Sequence, residues 1–135
     1  MTPLGAIALA TARDDGACDA VMVHGEEIAR MQGRLPGSDA LQAAAERFRA
    51  LGDPTRLKIL LALAHAELCV CDLAALAEVT QTSASQHLKV LRAYDLVRFR
   101  KQGRMAVYRL SDPGLVRMLA AVALREAGRR ERRSG

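Results

Sequence analysis

From Asp39 onward apolar residues recur at helical spacing, and before it they do not. Residues 1–38 mix Gly, Ala and Asp without a regular period and end in the turn-forming run LPGSD, so they read as an arm outside the core. DALQAAAERFRALGD then places Leu41, Ala44, Ala45, Phe48 and Leu51 on one helical stripe, which Gly52 ends. Asp53 and Pro54 restart a helix: a capping acceptor, then a residue whose missing N–H costs nothing at the first helical position. In TRLKILLALAH the spacing predicts Leu57, Leu60, Leu61 and Ala64 on the buried side. A third short helix, DLAALAEV, points Leu73, Leu76 and Ala77 inward. TQTS interrupts the pattern with residues that favour caps and turns. A fourth helix, about SASQHLKVLRAYD, carries Ala84, Leu88 and Leu91 on its inner face. Two short helices joined by a tight polar turn form a helix-turn-helix.

The period then changes to two. LVRFRKQGRMAVYRL alternates through Val97 and Phe99, then through Ala106 or Val107, Tyr108 and Leu110, on either side of KQGR. That predicts a β-hairpin with Gly103 in the turn. SDP at 111–113 caps a last helix, GLVRMLAAVALREA, whose Leu115, Met118, Leu119, Val122 and Ala123 form a broad apolar face. The fold class is therefore mainly α with a β-hairpin wing: a winged helix-turn-helix of five or more helices. Residues 1–38 are the arm, 39–127 the winged domain and 128–135 a basic tail. The last helix is more apolar than a domain of this size needs, and its surplus face, with helix 39–51, predicts pairing with a second copy, as small DNA-recognition modules commonly do.

In this plan the fourth helix enters the major groove of double-stranded DNA. Gln81, Thr82, Ser83, Ser85, Gln86 and Lys89 face outward, with hydroxyls and amides that can donate and accept at base edges and phosphates. One of Thr82 and Ser83 is expected to serve only as a helix cap, and His87 to pack or make a structural hydrogen bond. The hairpin carries Arg98, Arg100, Lys101, Arg104 and Arg109 with no acid among them. Arg100, Lys101 and Arg104 are placed for phosphates or the minor groove, contacts that give affinity without sequence choice. The net charge of +5 agrees with a polyanionic partner but would not alone establish one.

Charge and patterning also bound location and class. No apolar run approaches the roughly 18 residues of a membrane span. The start, MTPLGAIALATARDDG, is apolar but lacks a positive n-region, so a signal peptide is not expected and the cytoplasm is. No Gly-rich phosphate loop, paired-carboxylate motif or Cys–His partnership appears, so an enzyme and a small-molecule substrate are not expected.

Only 3 cysteines occur, and two stand one residue apart in ELCVCD, at the start of the third helix. In an extended or capping segment, side chains at i and i+2 share a side. A close thiol pair in a reducing compartment is more often metal-binding or catalytic than disulfide-forming. The bland alternative is burial as small hydrophobes beside Leu68 and Val70. Two sulfurs rarely suffice for a metal; the remaining candidates lie in the arm, as Cys18, Asp19, Met22 and His24 within ACDAVMVH, while Asp72 is a local oxygen donor or a helix-end acid.

FRALGDPTRLKILLAL, ELCVCDL, TSASQHLKVLRAYDLV and RKQGRMAVYRLSD together resemble the ArsR/SmtB family of metal-sensing winged-helix repressors, over about Ala44 to Asp112. Cys18 followed by EEIARMQGRL is similar to the arm of its CadC, cadmium- and lead-sensing, branch. The resemblance implies a homodimeric repressor of operator DNA that is released by metal. It also implies a site in which Cys18 of one subunit joins Cys69 and Cys71 of the other. Met22 stands where that branch has a second arm cysteine, which leaves His24, Met22 or Asp19 as the fourth position. Gly114, Arg125 and Gly128 stand where the family's second, zinc-type site has its ligands, so that site is expected to be absent. Arsenic sensors of the family share ELCVCDL. The implied effectors are therefore Cd(II) or Pb(II), with As(III) and Zn(II) as alternatives, and a thiol redox switch on the same fold is the rival reading.

Overall fold

The computed structural model describes residues 24–135, which include six helices and a three-stranded antiparallel sheet. The described residues up to Gln42 belong to one unit and Ala43–Gly135 form another. The first contains α1 (Gly25–Arg34) and the start of α2 (Ser38–Leu51). Helix α1 falls where the sequence shows no clear period. Glu26 and Glu27 in its first turn and Arg34 in its last complement the helix dipole, yet the helix buries no residue.

The second unit runs α3 (Pro54–Leu63), β1 (Leu68–Cys69), α4 (Val70–Ala77), α5 (Gln81–Ala93), β2 (Val97–Gln102), β3 (Met105–Leu110) and α6 (Pro113–Ser134). Asp53 caps α3 by accepting from the Arg56 N–H at 3.0 Å, with Pro54 in the first turn. The buried side of α3 is Ile59, Leu60 and Leu63; Leu57 and Leu61 are half-buried and Ala64 is exposed. This corrects the expected face. A helix apolar on nearly every side carries no phase of its own, and its neighbours choose which residues go inside. In α4 Leu73 is buried as expected and Ala77 half-buried, but Leu76, also expected inside, is 49% exposed and Ala74 is buried in its place.

Ala84, Leu88 and Leu91 of α5 are fully buried, and the two leucines join Leu60, Leu73, Leu96, Val97 and Val116 in one core. The turn before α5 lies earlier than TQTS. Glu78 closes α4 in the left-handed conformation (φ 59°), and Thr80 caps α5 by accepting from the Ser83 N–H at 3.0 Å. Thr80, rather than Thr82 or Ser83, is therefore the cap.

Strand β3 is the centre of the sheet, with β1 and β2 on its flanks. Gln102 pairs with Met105, so the hairpin loop is Gly103 and Arg104, and Gly103 takes the positive φ (63°) that such short loops require at their first position. Phe99 and Tyr108, opposite each other in the ladder, stack with centroids 5.4 Å apart. Helix α6 starts at the Asp112 cap, which accepts from the Leu115 N–H at 3.1 Å, and continues to Ser134, so residues 128–134 extend it. Only Val116 of α6 is buried. No helix among the described residues is long and apolar enough to cross a membrane.

Candidate metal and nucleic-acid site

The two thiols sit at the junction of β1 and α4. Cys69 ends the strand in extended conformation (φ −82°, ψ 167°) and is at once the N-cap residue of α4; Cys71 lies within the first turn. Cys69 is buried and Cys71 exposed, and both are free. The Cys69 Sγ–H donates to Asp72 Oδ2 at 3.2 Å, so the aspartate serves the thiol rather than a backbone N–H at the cap.

Directly opposite residues of a ladder share a face of the sheet. Cys69 pairs with Val107, and Val107 pairs on its other side with Arg100. The thiol, the middle of the wing and its basic outer strand therefore form one row. Arg100 in turn makes an ion pair with Glu67, two residues before Cys69, and approaches Gln102 Oε1 at 3.4 Å. Arg98 pairs with Asp95 at 3.5 Å, and Arg92 stacks over Phe99 at 4.3 Å. The wing is less one-sided than its own sequence implies, because Glu67 and Asp95 bring acids to it. Sequence reasoning missed Glu67; the signal was β1 itself, too short to show a period.

A groove of about 320 Å³ is lined among others by Cys69, Cys71, Gln81, Ser85, Arg104 and Met105. The thiols thus share one depression with the N-terminal end of α5 and the tip of the wing. Gln81, Thr82, Ser85, Gln86 and Lys89 of α5 are exposed, as are Arg100, Lys101 and Arg104; Ser83 is half-buried. Behind α5, the Arg56 Nη1–H approaches His87 Nδ1 at 3.4 Å, Arg56 Nε donates to the Ala50 carbonyl at 2.6 Å, and Asp53 lies 3.9 Å from His87. His87 therefore ties α5 to the start of α3. The Arg56 backbone N–H holds the Asp53 carboxyl below its ordinary pKa, against partial burial, with the Arg56 and His87 charges adding to the effect.

Cys18, Asp19 and Met22 lie outside the described residues. His24 precedes α1 and faces Glu27 at 3.5 Å. Among the described residues no three His, Cys, Asp or Glu side chains converge to hold a metal ion. Asp112 is engaged by its cap and by Arg47 at 3.7 Å.

A helix-turn-helix whose second helix presents polar side chains beside a basic hairpin defines a winged-helix transcription regulator. Residues 53–98 match the family model described as "Bacterial regulatory protein, arsR family". The chain is 42% identical over 106 residues to a transcriptional repressor SmtB homolog of Synechocystis sp., covering 78% of this chain and 80% of that one. It is 34% identical over 96 residues to a cadmium resistance transcriptional regulatory protein CadC homolog of Staphylococcus aureus, covering 70% and 78%. Among solved structures, the homodimeric winged helix-turn-helix DNA-binding domain of a possible ArsR-family regulator from Mycobacterium bovis superposes with a TM-score of 0.62 at 29% identity, covering 70% of this chain and 88% of that one. The chain belongs to the arsR family of bacterial regulatory proteins, a family of transcription regulators and not of enzymes.

Proposed function

We propose that the protein is a homodimeric repressor that holds operator DNA when metal-free and releases it on binding a soft, thiophilic ion, Cd(II) or Pb(II), so that genes of metal efflux or detoxification are expressed. The observation that carries this reading is the shared groove, in which Cys69 and Cys71 stand beside Gln81, Ser85 and Arg104. A ligand held there is next to the groups that meet DNA, so the two ligands affect each other at short range. Cys69 and Cys71 supply two thiolates, and Cys18 from the arm is the proposed third ligand, with His24, Met22 or Asp19 as a fourth. Soft ions favour such a sulfur-rich set over harder ones. The relative named for cadmium resistance supports the choice of metal; Zn(II) and As(III) remain the alternatives to be ranked by titration.

On the DNA side, Gln81, Thr82, Ser83, Ser85, Gln86 and Lys89 read the major groove while Arg100, Lys101 and Arg104 hold phosphates. Dimerisation uses the apolar side chains left outside the core: Phe48 is 53% exposed, Met118 48% and Val122 55%. The homodimeric structural relative supports the pairing. Coupling between metal and DNA of this kind is about 1–3 kcal/mol and must be reciprocal. Cd(II) affinity measured with and without operator tests it: operator-bound protein should bind Cd(II) more weakly, by the same factor that Cd(II) weakens DNA binding. Equal affinities would refute the proposal.

A further inference from the structure

Cys69 and Cys71 supply only two of the donors that a metal site needs, and besides the Cys18 proposed above no third His, Cys, Asp or Glu converges on them among the described residues. The groove does contain another sulfur. Met105 opens strand β3 beside the hairpin loop, lines the groove with Cys69 and Cys71, and is 51% exposed. Its position follows from the ladder. Leu68 pairs with Tyr108 and Cys69 with Val107. Cys71 leaves the ladder in the first turn of α4, and it is the shared groove that brings it to Met105. Met105 also lies two residues from Val107 on its strand, hence on the face of the sheet that Cys69 occupies. A large apolar side chain left half exposed at a wing tip, between Arg104 and a thiol pair, contributes little to the core.

We propose that Met105 supplies a thioether ligand to the ion held by Cys69 and Cys71, and that it sets the site's preference for soft ions. This rests on the metal-responsive reading above and names a ligand for that site. Each thiol gives its proton to solvent as it becomes a thiolate, so Cys69 and Cys71 already cancel the charge of a divalent ion and a third thiolate from Cys18 makes the site anionic. The thioether adds a donor and no charge, which suits a groove that Arg104 also lines. Thioether and thiolate are the soft side-chain donors, whereas Zn(II) is equally served by nitrogen and oxygen. Because Met105 adjoins the Gly103–Arg104 loop, its ligation fixes the wing tip against the thiol segment and draws Arg104 away from phosphate.

The test uses the full reduced chain with its methionine methyl groups labelled with carbon-13, titrated with Cd(II). Of the 5 methionine signals, the Met105 one is assigned by its loss in Met105→Leu. The proposal expects that signal to move in step with the ultraviolet thiolate-to-cadmium band. It expects Met105→Leu to bind Cd(II) at least about tenfold more weakly, the smallest loss usual even for a group that only supports a metal ligand. Zn(II) affinity should be unchanged. A full-affinity band in Met105→Leu overturns the proposal, whether or not the methyl signal moves, and leaves the two-thiol site standing. Absence of the band in the unmodified chain overturns the metal reading itself, and Met105 with it.

Discussion

Cys69 lies directly opposite Val107, so the first thiol is part of the same sheet as the wing. A change at the thiols therefore reaches the hairpin through one rung of backbone pairing, without a long relay. Arg100, on the far side of Val107 and ion-paired to Glu67, completes the row.

The first prediction separates ligand from packing roles. Cys71 is exposed, and Cys71→Ser should leave both the melting temperature and metal-free DNA binding unchanged while abolishing release by Cd(II). Cys69 is buried, but a serine hydroxyl there keeps Asp72 as its acceptor. Cys69→Ser should thus cost no more than about 1 kcal/mol, the scale of one ordinary hydrogen bond. Thermal melting and anisotropy on the same samples decide this. Unfolding of either variant would make the thiols core residues.

The second concerns Glu67. Its carboxylate holds Arg100 with both side chains roughly half exposed (46% and 48%), and on the proposed reading it competes with a DNA phosphate for that guanidinium. Glu67→Gln should tighten metal-free DNA binding and steepen the plot of log affinity against log salt by about 0.9, the value of one more phosphate contact. The added Arg100→Ala change should return the slope to its starting value. An unaltered slope in Glu67→Gln would mean that the ion pair leaves Arg100 free to meet DNA already.

A third prediction follows from Asp53. Its pKa is depressed in the folded chain, so it contributes stability that is fully present above the ordinary value of 3.8 and is lost as pH falls through the folded value. Asp53→Ala should cost about 1 kcal/mol near neutral pH, as loss of an N-cap does. The gap between the two melting temperatures should close below pH 3.8. A gap independent of pH would show that the carboxylate charge contributes nothing.

How much of this was visible in the sequence differs by element. Asp53–Pro54 and Asp112–Pro113 mark helix starts because cap chemistry is local, and both caps form. Ala84, Leu88 and Leu91 were legible because α5 has a polar face to set them against. In α3 apolar residues surround the axis, so the buried side was set by neighbours and the expected Leu57 and Ala64 gave way to Ile59 and Leu63. The exposure of Gln81, Thr82, Ser85, Gln86 and Lys89 in α5, and of Arg100, Lys101 and Arg104 in the wing, was also legible. The row Cys69–Val107–Arg100 was not, since it depends on the register of a strand only 2 residues long.

The fourth prediction addresses assembly. Val122 and Phe48 are more than half exposed, and a buried side chain of this size contributes about 1.5–3 kcal/mol. Val122→Glu and Phe48→Glu should each shift the protein toward monomer in sedimentation velocity while leaving the helical circular dichroism intact. The monomer should also lose operator affinity, because it meets only one half-site. A dimer that survives both changes would place the interface elsewhere.

The central claim is that a soft metal ion and operator DNA oppose each other on this dimer. Fluorescence anisotropy of the reduced, metal-free protein on a fragment of its own promoter, titrated at fixed salt with Cd(II), Pb(II), Zn(II) and As(III) in turn, tests it most directly. The account predicts release by Cd(II) or Pb(II) well below the concentration of Zn(II) that does the same. Tight binding that ignores every ion would contradict it, and would leave a DNA-binding protein whose paired thiols serve redox chemistry or packing.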